Sequence, residues 1–182
     1  MEKEEILDPL FSTYHVKSLD LDNRFVMAPL TRRRSPDGTP NEIVAEHYRR
    51  RAAGGIGLII TEGTLVEHPL AAPNNDIPRI AEDTIDAWRE VLREIRKTNT
   101  PTFVQLWHQG PKARPGISAT PVEEDGKQVV PAANDKDRQE IFDAFVKGVV
   151  LAQKIGFEGV EFHGAHGYLL DSFLRAGQVD FV

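Results

Sequence analysis

The run GLIITEG at 57–63 is apolar on consecutive rather than alternate positions, and TFVQLW at 102–107 and GVEFHG at 159–164 read as two further strands. A strand with that pattern is covered on both faces, the condition of a parallel sheet flanked by helices. A shorter run, RFVMA at 24–28, precedes them. Between the runs lie segments of helical period. In TPNEIVAEHYRRRAAGG, Thr39 is placed to cap a helix, Pro40 suits its first position and Glu42 completes a capping box. Gly54 or Gly55 ends that helix in the left-handed conformation. Ile85, Trp88, Leu92 and Ile95 form one apolar stripe of a second helix. A third runs from Asn134 or Asp135 to Ile155, with Ile141, Phe145, Val149 and Ala152 on one face and Gly156 as its stop. Residues 11–22 read as a short lead-in hairpin, and 110–133 as a long loop.

Four successive βα units imply a parallel sheet with right-handed crossovers. An open doubly wound sheet would favour a G-x-G-x-x-G turn after the first strand. Here that strand ends in APLTRR, and the glycine cluster GGIG at 54–57 precedes a strand instead. The polar residues Thr31, Glu62, Gln105, His108, His163 and His166 all leave the carboxyl ends of strands, the face on which a barrel builds its active site. A complete barrel takes about eight strands and ~250 residues. The expectation is a single domain over 1–182: the first four βα units of a (β/α)8 TIM barrel, with strands near 24–28, 57–62, 102–107 and 159–163. That half-barrel carries a short N-terminal hairpin.

Composition narrows the functional classes. The chain has no cysteine, which excludes disulfides and thiolate chemistry. Its net charge of -6, without a long basic run, argues against nucleic acid or an anionic membrane as partner. The start MEKEEILDPL lacks the apolar stretch of a secretory signal, and no run approaches the roughly 20 apolar residues of a bilayer span. A cytoplasmic protein acting on small molecules is expected.

The residues that could carry chemistry cluster in FHGAHGYLLD, 162–171. His163, His166 and His108 are a possible zinc set, although no carboxylate stands beside the histidine pair and the H-x-H of barrel metallohydrolases is missing from strand one. Solvated loop residues are a second reading. On the third, His163 and His166 are paired donors to one oxygen that gathers negative charge, and Tyr168 is a general acid. Such a set suits reduction of a polarised double bond, with the hydride supplied by a cofactor.

HGAHGYLLDSFL resembles the fourth-strand motif of the old yellow enzyme family, FMN-dependent ene-reductases built on a (β/α)8 barrel. NRFVMAPLTRRR, GLIITEGT and FVQLWHQG resemble that family's first, second and third strands, in order. The resemblance implies FMN as cofactor and NAD(P)H as hydride donor. It places Met27 and Ala28 beside the flavin through their backbone. Pro29 and the Thr31 hydroxyl touch the ring, Gly63 permits close approach, and Gln105 bonds the pyrimidine edge. Trp107 lines the substrate pocket. His163, also at the flavin, and His166 hold the carbonyl oxygen of an enone or quinone-like substrate, and Tyr168 protonates the adjacent carbon. No metal is implied. Thr31 after Leu30 matches the branch with threonine, not cysteine, in the first strand.

Two departures stand out. Pro111 and Lys112 follow QLWHQG where arginine is common in the family, so substrate specificity does not transfer. After DSFL this chain reads RAGQVDFV, and the family's second half, with its phosphate-binding loops, does not follow. The expected partner is therefore a complementary C-terminal half-barrel or a second copy. The alternatives are a half-barrel that binds flavin weakly or not at all and, further off, a histidine-based metallohydrolase. Arg32, Arg33 and Arg34 read as a solvated run, Glu123–Asp125 as an acidic loop, and His15, His47 and His68 as solitary surface residues.

Overall fold

A computed structural model describes residues 9–179. The acidic residues 1–8 and the final 180–182 lie outside the described residues. The lead-in is the expected hairpin, β1 (Tyr14–Val16) against β2 (Leu19–Leu21), with Tyr14 opposite Leu21.

The central sheet contains β3 (Val26–Met27), β4 (Leu58–Ile60), β5 (Thr64–Leu65), β6 (Thr102–Trp107) and β9 (Gly159–Phe162). All pairings within it are parallel: β3 with β4, then β4 and β5 with one edge of β6, then β9 with the other. Spatial order therefore follows chain order without reversal. A doubly wound sheet would reverse at its switch point, so this is the winding of a barrel.

Between β4 and β5 the register slips. Ile60 lies opposite Phe103 and Thr64 opposite Leu106, so four steps along one strand answer three along the other. This is a β-bulge at residues 61–63, a feature enriched beside active sites.

Helices α1 (Glu42–Ala53), α2 (Ile85–Ile95) and α3 (Asp135–Ile155) pack on the outer face. Their apolar stripes meet Ile59, Val104 and Leu106 of the sheet in one core. Trp88 is its largest fully buried side chain. Its ring meets Phe157 edge-on at 5.5 Å and its indole N–H donates to the Arg79 carbonyl at 3.0 Å. Both its apolar body and its polar handle are thus satisfied, and burial of such a side chain contributes a few kcal/mol.

Sequence and structure differ in three places. The cap of α1 is Asn41, not Thr39. The Asn41 side-chain Oδ1 accepts the N–H groups of Ile43 and Val44, while the Thr39 N–H closes a turn onto Pro36. The helix does end as expected, with Gly54 right-handed and Gly55 in the left-handed turn at φ 87.

The segment 110–133 contains a second hairpin, β7 (Val122–Glu124) with β8 (Lys127–Val130). Asp125 and Gly126 both have positive φ at its tip, the signature of an Asp-Gly hairpin turn. The acidic run is consequently ordered, and Glu124 accepts from Arg114 at 2.6 Å. Lastly, α4 (Leu169–Val179) follows β9 directly, with the Asp171 carboxylate accepting the Gly167 N–H at 2.5 Å.

The two flanks of the sheet carry exposed apolar side chains. Phe25, Val26 and Leu30 lie at or beside β3, and Phe142, Val146, Val150 and Phe162 on α3 and β9. Among the described residues no helix is long and apolar enough to cross a membrane.

Candidate active site

Parallel strands deliver their carboxyl ends to one rim, so chemistry-bearing residues far apart in sequence meet there. On β6, Val104 and Leu106 join the helix-facing core, so Phe103, Gln105 and Trp107 turn to the opposite, barrel-interior face. Gln105, only 6% exposed, donates from its amide to Glu161 of β9 at 2.7 Å. The two residues are register partners across the ladder. Glu161 has no role in the sequence reading; its signal is a carboxylate inside an otherwise apolar strand, on the interior-facing parity.

Trp107 is the centre of the rim. A Cβ built on Gly63 would lie 2.7 Å from the Trp107 ring and 3.1 Å from the Thr31 hydroxyl. Only glycine fits at that position, and here the obstacle is the indole. Trp107 also meets Tyr168 edge-on at 4.9 Å and His163 at 6.1 Å. His163 lies 4.9 Å from Tyr168 and 5.3 Å from His166, ring to ring. Thr31, Gly63, Trp107, His163, Tyr168 and His166 therefore form one continuous wall.

Three features place that wall. The His163 N–H donates to the Leu106 carbonyl and the Leu169 N–H to that of His108, which ties the turn 163–168 to the end of β6. His166 and Gly167 both take positive φ, the first at 61, a conformation that costs a histidine energy and is met at functional sites. Burial and the neighbouring His166 push the His163 imidazole below its usual range, so it is a neutral donor near pH 7. Lys112, at the point of departure from the family, lays its ammonium over the Tyr168 ring at 4.9 Å.

His108 does not join this wall. Its Nε2 lies 2.9 Å from the Nδ1 of His68, and its Nδ1 accepts the Gly110 N–H. The three-histidine convergence is thus replaced by a His68–His108 pair, and His68 is not solitary. Among the described residues no three His, Cys, Asp or Glu side chains stand close enough to hold a metal ion. Burial and His68 drive His108 down to about 3.

His47 is half-buried, edge-on to Tyr48 at 5.2 Å. Burial, with Arg32 and Arg51 nearby, lowers it to about 4. His15 is exposed and pairs with Asp20. The arginine run also divides: Arg33 reaches Asp76 at the surface, whereas Arg32 turns inward onto Glu62.

The rim suits a flat heteroaromatic cofactor. The peptide groups of Ala28, Leu30 and Thr31 take no backbone partner among the described residues. Met27 and Pro29 are half-buried beside them. The Trp107 indole N–H is buried with no partner among the described residues. Free main-chain groups, a hydroxyl, a buried amide and a glycine-floored wall are the donor and acceptor set that a ring with polar edges requires.

The sequence pattern of the NADH:flavin oxidoreductase / NADH oxidase family matches residues 9–180. The chain is 34% identical over 191 residues to 12-oxophytodienoate reductase 7 of Oryza sativa subsp. japonica, a match covering 93% of this chain and 48% of the relative. It is 36% identical over 170 residues to an NADPH dehydrogenase of Halalkalibacterium halodurans, covering 91% and 50%. Its fold superposes on the structure of morphinone reductase in complex with tetrahydroNAD with a TM-score of 0.82 at 28% identity, over 91% of this chain and 52% of that one. The Old Yellow Enzyme from Pichia sp. gives 0.82 at 29% identity, over 91% and 48%. The chain spans about half the length of the curated relatives it matches. With its parallel strands in barrel order, this half-barrel of the (β/α)8 type belongs to the NADH:flavin oxidoreductase / NADH oxidase family, that of the old yellow enzymes.

Proposed function

We propose that the chain provides the flavin- and substrate-binding rim of an FMN-dependent oxidoreductase that reduces the C=C bond of α,β-unsaturated carbonyl compounds with NAD(P)H. The observation that carries the reading is one wall, on which Trp107 stands between the Thr31–Gly63 pair and the His163–Tyr168 pair. FMN held there would supply the redox chemistry, the transfer of a hydride equivalent from NAD(P)H to the substrate's β-carbon.

The backbone of Met27 and Ala28, with Pro29 and the Thr31 hydroxyl, would hold the ring, together with Gln105, whose amide is oriented by Glu161. His163 and His166 share the substrate's carbonyl oxygen as paired donors and stabilise the charge that develops there. Trp107 closes the substrate side and excludes water. Tyr168 gives its phenolic proton to the carbon next to the carbonyl, completing addition of one hydride and one proton. The exposed flanks beside β3 and beside α3 favour a partner that completes the barrel, either a C-terminal half-barrel or a second copy.

Tyr168→Phe tests the assignment. With FMN, NADPH and 2-cyclohexenone, turnover falls by roughly 10²–10⁴-fold, the worth of a positioned proton donor, while reduction of the flavin by NADPH proceeds at the original rate. Full turnover in the variant contradicts the assignment.

A further inference from the structure

The bulge at residues 61–63 holds a carboxylate that the proposed reaction does not use. Glu62 is completely buried. A carboxylate removed from water is stable only where donors surround it. Its Oε2 accepts the main-chain N–H of Arg32 at 2.9 Å and its Oε1 accepts the Arg32 guanidinium at 2.5 Å. The Tyr48 hydroxyl donates to Oε1 at 3.4 Å and accepts the N–H of Glu62 at 2.7 Å. Arg32 also stacks on the Tyr48 ring, 5.2 Å from its centroid.

The connectivity makes this more than a buried ion pair. Arg32 directly follows Thr31, and Glu62 directly precedes Gly63. One side chain therefore grips, by both main chain and side chain, the exits of β3 and β4, whose next residues meet. The Thr31 hydroxyl lies 3.1 Å from where a Cβ of Gly63 would stand. A bond to a main-chain N–H fixes the path of the chain itself, which a surface ion pair does not do.

We infer that Glu62 is a positioning residue: by clamping Arg32 it sets the Thr31 hydroxyl against Gly63 and so fixes the contact that Thr31 offers the flavin. This rests on the flavin reading above. In Glu62→Gln the amide keeps one acceptor and turns the other position into a donor, so one of the two Arg32 bonds is lost and the β3 exit is released. Arg32, Glu62 and Tyr48 act on the cofactor only through Thr31.

The test is an FMN titration by fluorescence quenching of the full chain, for wild type, Glu62→Gln, Thr31→Val and the double variant. Backbone amide exchange at Arg32 and far-UV circular dichroism are recorded alongside. Glu62→Gln is expected to keep the wild-type dichroism, exchange the Arg32 amide at least tenfold faster and bind FMN about tenfold more weakly. Because Glu62 acts through Thr31, the double variant binds no more weakly than the weaker single variant. Multiplied losses in the double variant, unchanged FMN affinity in Glu62→Gln, or an unchanged Arg32 exchange rate each overturn the inference. If wild type binds no FMN, the cofactor reading falls and the inferred flavin role falls with it, while Arg32 exchange still decides whether the clamp exists. Should Glu62→Gln fail to fold, Tyr48→Phe replaces it, since it leaves the ion pair intact. That variant is expected to speed Arg32 exchange about threefold, and an unchanged rate overturns the clamp.

Discussion

At the scale of single residues, the site depends on which histidines are free to work and which are sealed. His163 and His166 stand on the rim, whereas His108 is 2% exposed and bonded to His68. Gly110 donates to His108 Nδ1, so the proton of this ring sits on Nε2 and is given to His68. Protonation of His108 would set two donors against each other. Its folded-state pKa of about 3 lies below the ordinary imidazole value of about 6.5, so between those values the unfolded chain binds more protons. Stability is therefore complete above about pH 6.5 and is lost as pH falls toward 3, with a slope of up to about 1.4 kcal/mol per pH unit. Urea midpoints measured from pH 7 to pH 4 are expected to fall steadily, and His108→Gln to flatten the profile. An unchanged slope in that variant contradicts the assignment. This pairing was not legible in the sequence, where His68 and His108 are forty residues apart and joined by no pattern. His163, His166 and Tyr168 were legible because a turn of six residues holds all three.

At the scale of elements, periodicity revealed what packing enforces. The stripes of α2 and α3 are the buried faces, and the consecutive apolar runs are the parallel strands. What it did not reveal depended on local chemistry. The β7–β8 hairpin rests on Asp125-Gly126, a dipeptide signal flanked by charges instead of alternating apolar residues. The bulge at 61–63 leaves no mark on the run LIITEG, since a slip of register is a relation between two strands. The α3 helix also carries a second apolar line, Phe142, Val146 and Val150, at spacings of four and exposed by 62%, 45% and 56%. With Phe162 beside it, this face is expected to be covered by other protein. Sedimentation at rising concentration is expected to show self-association of the chain when no complementary half is supplied, and Val146→Glu to weaken it by tenfold or more. A monomer at every concentration contradicts that expectation.

For the whole molecule, order along the chain becomes order around a barrel. Each βα unit adds one strand exit to a common rim, so Thr31, Gly63, Gln105 with Trp107, and His163 with Tyr168 arrive in register from four separate stretches. We propose that the described residues act as one domain, the first half of a flavin barrel. The most direct test uses NADPH labelled with deuterium at its transferable position, FMN and 2-cyclohexenone, with the product analysed by mass spectrometry and NMR. The account predicts cyclohexanone with deuterium on the carbon β to the carbonyl. Formation of 2-cyclohexenol, or cyclohexanone with no deuterium at that carbon, would contradict it.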